Sequence, residues 1–133
     1  MIVTLDVSAA MEVIMGRPYQ NQIAEIIKKA DWVIAPSLYT YEASNVMWKC
    51  RQFYDDKVLL KKARQALTLV DEFISPESIF EEAIALACQT NRTSYDAMYL
   101  VTCRRRNATL VTLDKLLKVA TELRIPVAAM LES

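Results

Sequence analysis

Met1-Ile2-Val3-Thr4-Leu5-Asp6 opens the chain with an apolar run that does not alternate with polar residues and that ends on a carboxylate. A run of this kind is typical of a strand that is buried on both faces of a parallel sheet. Further strands are predicted at Trp32-Val33-Ile34-Ala35, which ends at Pro36, at Thr109-Leu110-Val111-Thr112, and at a last edge, Pro126-Val127-Ala128. The sequence therefore predicts a central sheet whose strands are separated by longer segments.

The segments between the predicted strands carry the periodicity and the end signals of helices. Asp55-Asp56 is expected to form a turn and N-cap between two of them, and Asn107 suits a left-handed position after another. The predicted helices run from Ser8 to Met15, over 20–30, from Ser37 to about Phe53, from about Lys57 to Phe73, from Pro76 to Gln89, from a cap at Thr93 or Ser94 to Arg106, and from Asp114 to about Arg124.

Strands that alternate with helices predict an α/β fold, here a three-layer α/β/α sandwich with a central, mainly parallel sheet. The chain has 133 residues, which is enough for one hydrophobic core but too few for two independent ones. We therefore expect a single domain over residues 1–133. Trp48, Phe53 and Tyr54, near the end of a predicted helix, are expected in its core, with a partner-binding groove as the alternative.

The composition excludes several kinds of chemistry. The sequence contains no histidine, which excludes Ser-His-Asp and Cys-His catalysis, histidine acid–base chemistry and most zinc sites. Lys and Arg together number 16, as do Asp and Glu, so RNA binding cannot rest on a global positive field. A hydrolase with this composition must use carboxylates, alone or with hard cations.

The cysteines and the first residues point to the cytoplasm. Cys50, Cys88 and Cys103 are an odd number without CxxC spacing, so reduced thiols are expected rather than disulfides or a thiolate metal site. The first residues lack the features of a signal peptide, and no apolar run has the length of a membrane span. The sequence therefore predicts a cytoplasmic protein without a membrane segment.

Four acidic residues are the candidate catalytic and metal-binding groups: Asp6, Glu42, Asp96 and Asp114. Asp6 closes the first strand and Asp114 follows a later one, and ligands of open parallel sheets bind beyond the carboxyl ends of the strands. Converging carboxylates repel one another unless a cation lies among them, and oxygen ligands suit Mg²⁺ and Mn²⁺.

Each of these features also has an ordinary structural explanation. Asp6 and Asp114 are possible helix caps, and Asp96 is favoured by the dipole at the start of its helix. The run Arg104-Arg105-Arg106 is first of all a charge cluster at a helix end, with RNA contact as the alternative.

The ordered blocks of the chain resemble the PIN-domain family. Leu5-Asp6-Val7-Ser8-Ala9 resembles the opening strand motif, and Tyr41-Glu42-Ala43-Ser44-Asn45 the glutamate helix. The segments 94–100 and 109–114 resemble the last two blocks in order and spacing. The similarity covers essentially the whole chain, whose size and layout look most like a VapC-type toxin. Asn107 departs from the family by standing where glycine is common.

This resemblance implies an Mg²⁺- or Mn²⁺-dependent endoribonuclease, often dimeric, that a VapB-like antitoxin neutralises. It further implies that Asp6, Glu42, Asp96 and Asp114 hold the metal and activate water, and that Ser8, Asn45 and Thr112 orient those carboxylates. Metal-assisted attack of water on RNA is then expected to leave a 5′-phosphate and a 3′-hydroxyl.

Three alternatives remain open on the sequence. One is a PIN-like RNA-processing nuclease outside a toxin system, and another is a PIN-like scaffold without catalysis. The third is an aspartate-based phosphotransfer domain. Against the third, Ser8 stands where a dehalogenase-like motif has a second aspartate, and the lysine and early acidic pair of a receiver are not evident.

Overall fold

Four parallel strands form the central sheet of the computed structural model, which describes residues 1–130. The strands are β1 (Ile2–Leu5), β2 (Trp32–Pro36), β3 (Glu72–Ile74) and β4 (Thr109–Val111). Their order across the sheet is β3-β2-β1-β4, and every neighbouring pair is parallel. In register, Val3 of β1 lies between Val33 of β2 and Thr109 of β4. The predicted parallel sheet is confirmed.

Helices connect the strands and cover both faces of the sheet. In the described residues they are α1 (Val7–Ile14), α2 (Gln20–Lys29), α3 (Leu38–Lys49), α4 (Asp56–Thr68), α5 (Pro76–Thr90), α6 (Ser94–Arg106) and α7 (Leu116–Glu122). The caps at Asp55 and Thr93 accept backbone hydrogen bonds, and Asn107 is left-handed with φ 49°. None of the helices in this part of the chain has the length and apolarity needed to cross a membrane.

Two hydrophobic clusters, one on each face of the sheet, make the fold a three-layer sandwich. Val3 and Leu5 point into the cluster formed with α1 to α4. Leu110 points to the opposite face, where α5, α6 and α7 pack. This separation follows from the strand geometry, because successive side chains point to opposite faces. The predicted α/β/α architecture is therefore confirmed.

The order of the strands places a crevice between β1 and β4. The chain proceeds from β1 outwards through β2 to β3, and then returns to add β4 on the other side of β1. This reversal is a topological switch point, and ligands of open α/β sheets bind at such a point, beyond the carboxyl ends of the strands. Asp6 follows β1 at this point, and Thr112 follows β4.

The predicted helix from Lys57 to Phe73 was wrong at its end. Helix α4 stops at Thr68, and residues 72–74 form strand β3 at the edge of the sheet. Asp71 makes the connection, since its amide donates to Val33 O and its carboxylate accepts from Val33 N, both at 2.8 Å. Pairing with β2 thus overrides the local helical pattern, because a three-residue edge strand carries almost no periodicity of its own.

Two helix boundaries and one predicted strand also differ from the prediction. Helix α3 ends at Lys49 rather than near Phe53, and α7 begins at Leu116 rather than at Asp114. Residues 126–128 make one parallel bridge, Leu110 to Val127, instead of a strand.

The core prediction was also wrong for Trp48 and Phe53, whereas Tyr54 is half-buried. Trp48 is 57% exposed and Phe53 is 79% exposed. Phe53 lies beyond the early end of α3, in the turns at residues 51–54, whereas Trp48 lies within α3 at an exposed position of the helix.

Candidate active site

Asp6 is fixed where β1 ends and α1 begins. Its amide donates to Val111 O at 3.0 Å, and its carbonyl accepts from Ala9 N and Ala10 N. Its side chain makes no capping hydrogen bond to the helix, although the residue occupies the N-cap position. The carboxylate is only 4% exposed. Capping therefore does not account for this buried acid.

Two hydroxyl groups hold the Asp6 carboxylate and join the ends of β1 and β4. Ser8 Oγ and Thr112 Oγ1 both donate to Asp6 Oδ2, at 2.9 and 2.6 Å. Each hydroxyl also accepts a backbone hydrogen bond at 3.0 Å, Ser8 from Leu113 N and Thr112 from Asp114 N. The loop after β4 is thereby tied to the aspartate that follows β1.

Glu42 approaches the same region from α3. It lies on one face of the helix with Asn45 and Lys49, which follow it at helical spacing. Its Oε1 accepts a hydrogen bond of 2.6 Å from the hydroxyl of Tyr99 on α6. Tyr99 was not among the site residues predicted from the sequence. The available signal was its position three residues after Asp96, which places both side chains on one face of the helix.

The remaining two acids stand at the start of α6 and α7. Asp96 is half-buried in the first turn of α6, where its amide donates to the cap Thr93 Oγ1 at 3.2 Å. Asp114 is exposed and precedes α7, and its Oδ1 accepts from Lys115 N at 2.6 Å. Because α7 begins at Leu116, Asp114 is not the N-cap residue that its position in the sequence allowed.

One cavity of about 300 Å³ collects most of the candidate residues. Asp6, Glu42 and Asp114 line it, together with Ser8 and Asn45. Asp96 is not part of the lining. It is close enough for its charge to act on Glu42. The structure thus brings three of the four acids to one opening and leaves Asp96 at its margin.

Burial and neighbouring negative charges raise the pKa values of Asp6, Glu42 and Asp96, because both disfavour an ionised carboxylate. Burial raises the pKa of Asp6, with a smaller contribution from Asp114, although hydrogen bonds from Thr112 and Ser8 oppose the shift. Burial also raises the pKa of Glu42, and the charges of Asp6, Asp96 and Asp114 add to the effect against the Tyr99 hydrogen bond. The pKa of Asp96 is raised by burial and then by Asp114.

The donor set fits a hard divalent cation. The side chains that line the opening offer carboxylate, amide and hydroxyl oxygens, and the mutual repulsion of the carboxylates is relieved by positive charge. No group of three or more Asp, Glu or Cys side chains within residues 1–130 forms a ready-made metal cage. That does not conflict with Mg²⁺, which usually takes one or two carboxylates and keeps several waters.

The raised pKa values give the metal-free protein a defined pH dependence. A carboxyl whose pKa is higher in the folded protein contributes stability that is complete below its unfolded pKa, about 3.9 for Asp and 4.3 for Glu. That stability is lost as the pH rises through the folded pKa. In EDTA, we expect the wild type to lose free energy of unfolding, relative to the Asp6→Asn/Glu42→Gln variant, as the pH rises from about 4 to 7.

Urea unfolding at several pH values measures this difference, since the other titrating groups are common to both proteins. The variant should be the more stable protein at neutral pH. Stability curves that stay parallel across the range would show that neither carboxyl is destabilised in the folded state.

Basic residues are distributed unevenly around the opening. Arg17 and Lys49 line the cavity itself. The three arginines at the end of α6 lie elsewhere, since ten residues separate Asp96 from Arg106 and a helix rises about 1.5 Å per residue. Arg106 pairs with Glu72 at 3.0 Å, at the amino end of β3, and Arg105 pairs with Glu82. The arginine run is therefore about 15 Å along the helix from Asp96.

Two solved structures are similar to this chain. It is 25% identical to the protein in the crystal structure of PAE2754 from Pyrobaculum aerophilum, with a TM-score of 0.63 over 90% of this chain and 86% of that chain. It is 18% identical to a chain in the crystal structure of VapBC2 from Rickettsia felis bound to a DNA fragment from their promoter. There the TM-score is 0.69, over 96% of this chain and 98% of that chain, which is a likeness of fold.

The family of the chain follows from comparing its sequence with known protein families. No curated protein is similar enough to match the chain. The PIN domain family model matches residues 3–123, a range that includes all four acids and, apart from Ile2, the four strands of the described residues. This chain belongs to the PIN domain family.

Proposed function

We propose that this protein is an Mg²⁺- or Mn²⁺-dependent endoribonuclease. PIN domains are generally nucleases, and PIN nucleases generally use divalent metal ions. The observation that carries the proposal is the cavity at the switch point of the sheet, where Asp6, Glu42 and Asp114 share one opening and Asp96 stands close by. Acids with raised pKa values are expected at functional sites.

The proposal gives each group a role. Asp6, Glu42, Asp96 and Asp114 would hold the metal. When bound, Mg²⁺ or Mn²⁺ supplies polarisation of the phosphodiester and a lowered pKa for the attacking water. Ser8 and Thr112 keep the Asp6 carboxylate in one orientation through their hydrogen bonds. Asn45 faces the same cavity and offers an amide to the metal shell or to the substrate.

Positive charge at the opening supports a phosphate-bearing substrate. Arg17 and Lys49 line the cavity beside the acids and would contact RNA phosphates on either side of the cleaved bond. Within residues 1–130 neither side chain forms a salt bridge, in contrast to Arg105 and Arg106. The chain's balanced charge makes such local cations the route to RNA binding.

The test is a cleavage assay on total RNA with Mn²⁺, with Mg²⁺ and with EDTA. Products with a 5′-phosphate and a 3′-hydroxyl, formed only with the cation, support the proposal. A 2′,3′-cyclic phosphate product, or full activity in EDTA, would contradict it.

An aspartate-based phosphotransfer domain is the weaker explanation of the same site. Asp6 Oδ2 is occupied by two hydroxyl donors, and the neighbouring charge is negative. In addition, Ser8, which holds the Asp6 carboxylate, stands where a dehalogenase-like motif has a second aspartate. Incubation with a small phosphodonor tests the phosphotransfer explanation, since a stable aspartyl phosphate would favour phosphotransfer over nuclease activity.

We further propose that the nuclease is a VapC-like toxin that works in the cytoplasm, forms a homodimer and is neutralised by a VapB-like antitoxin. The groove between α3 and α4 supports a protein partner, because Met47 and Trp48 of α3 face Leu59, Leu60 and Ala63 of α4 across about 320 Å³. Trp48 is 57% exposed and Leu60 is 56% exposed. Exposed apolar surface of this kind marks protein interaction sites.

Expression in a bacterial host separates a toxin from a general RNA-processing nuclease. A toxin should arrest growth when the chain is expressed alone, and co-expression of a small protein encoded beside it should restore growth. Normal growth at a demonstrated level of active protein would exclude the toxin role and leave the nuclease proposal intact.

A further inference from the structure

Tyr99 connects two of the acidic residues that come from different helices. Its hydroxyl donates to Glu42 Oε1 at 2.6 Å, which bridges α6 to α3. On α6 it stands three residues after Asp96, so the two side chains are neighbours on one helical face, about 5–6 Å apart at Cβ. A single side chain therefore fixes where the Glu42 carboxylate lies relative to Asp96.

Tyr99 is itself held in place. It is 2% exposed and packs in the cluster beneath α5 and α6, with Leu100 and Ala97 as part of the same cluster. A tyrosine has few rotatable bonds, and packing on this scale leaves it one conformation. Burial, and then the charges of Asp6 and Glu42, raise the pKa of Tyr99 far above its ordinary value. In the hydrogen bond to Glu42 the hydroxyl is the donor, because a carboxylate oxygen only accepts.

The orientation of the Glu42 carboxylate depends more on a fixed hydrogen-bond donor than that of the Asp6 carboxylate does. Asp6 has a short side chain, is 4% exposed and accepts from two hydroxyls. Glu42 has one more rotatable bond and is only half-buried, and Tyr99 supplies its hydrogen bond. Without that donor, the carboxylate gains rotamers that turn it towards water and away from the other acids.

We propose that Tyr99 is a positioning residue that holds the Glu42 carboxylate in register with Asp96 and so sets the affinity of the site for a divalent cation. This inference rests on the proposed metal-dependent function. Groups that orient metal ligands typically contribute 10–100-fold to metal affinity.

The experiment compares Tyr99→Phe with the wild type by calorimetric titration of Mn²⁺ alone. We expect the Kd for Mn²⁺ to rise by about 10–100-fold. In the RNA cleavage assay, the Mn²⁺ concentration for half-maximal rate should rise by a similar factor, whereas KM for RNA should change little. Circular dichroism checks that the variant is folded.

Tyr39→Phe is the matched control. Tyr39 is also fully buried and donates to a backbone carbonyl, Ala66 O, at 2.7 Å. Both variants lose one buried tyrosine hydroxyl, but only Tyr99 touches a candidate ligand. We expect the Kd for Mn²⁺ of Tyr39→Phe to equal that of the wild type.

The Glu42→Ala background removes the acceptor of the Tyr99 hydrogen bond and, titrated at Mn²⁺ concentrations high enough to fill its weakened site, separates positioning from a general loss of packing. If Tyr99 acts through Glu42, then Tyr99→Phe has no further effect on Mn²⁺ affinity once Glu42 is replaced. An equal loss in both backgrounds, or an unchanged Kd in Tyr99→Phe, would overturn the inference while the nuclease proposal stands. A wild type that binds no Mn²⁺ would overturn both.

Discussion

Replacing Asp6 with asparagine is expected to lower the rate of RNA cleavage by at least about 100-fold. Asparagine has the same shape and keeps an oxygen that accepts from Ser8 and Thr112, so the local structure should persist. What it loses is the negative charge that would bind the cation. Metal ions contribute several kcal/mol of transition-state stabilisation, and each 1.36 kcal/mol is about tenfold in rate.

The measurement is the initial rate on a defined RNA at saturating Mn²⁺. Asp56→Asn serves as the matched control, because Asp56 is an exposed aspartate at the start of α4, outside the acidic cavity. Its rate should equal that of the wild type. Activity of Asp6→Asn within a few-fold of the wild type would remove Asp6 from the catalytic site.

The second large effect is expected in stability. A ligand that binds only the folded protein, and that is present at 100 times its Kd, raises the free energy of unfolding by about 2.7 kcal/mol. The wild type should therefore gain about that much free energy of unfolding on addition of excess Mn²⁺, whereas Asp6→Asn should gain almost nothing. The physical reason is the buried carboxylate, whose charge is unfavourable until a cation compensates it.

Chemical unfolding of the wild type and of Asp6→Asn, each in EDTA and in Mn²⁺, gives the four free energies of unfolding that are compared. In EDTA the variant should be at least as stable as the wild type at neutral pH, and in Mn²⁺ the order should reverse. An equal gain in both proteins would show that the cation binds elsewhere, and Ca²⁺ in place of Mn²⁺ would show how selective the gain is.

Much of the fold could be predicted because its buried strands carry strong local signals. The runs that became β1, β2 and β4 are mainly apolar, as is typical of strands covered on both faces. Strand β3 could not be predicted in this way. Its three residues are partly exposed at the edge of the sheet, and its place depends on the backbone of β2, which no local pattern records.

The candidate site also contains residues that could be placed from the sequence and contacts that could not. The acids that follow strands, Asp6 and Asp114, could be placed at the carboxyl edge of the sheet from topology alone. The hydrogen bond from Tyr99 to Glu42 joins residues 57 positions apart and depends on how α6 packs against α3. Asp96 was grouped with the other acids, yet it does not line the cavity that the other three share.

We propose above that these carboxylates share one divalent cation. Electron paramagnetic resonance of Mn²⁺ titrated into the protein tests it directly, because the signal of free Mn²⁺ disappears as the ion binds. We expect the wild type to remove at least one equivalent of free Mn²⁺, and Asp6→Asn, Glu42→Gln and Asp114→Asn each to leave most of it free. Equal free Mn²⁺ in the wild type and in all three variants would contradict the account.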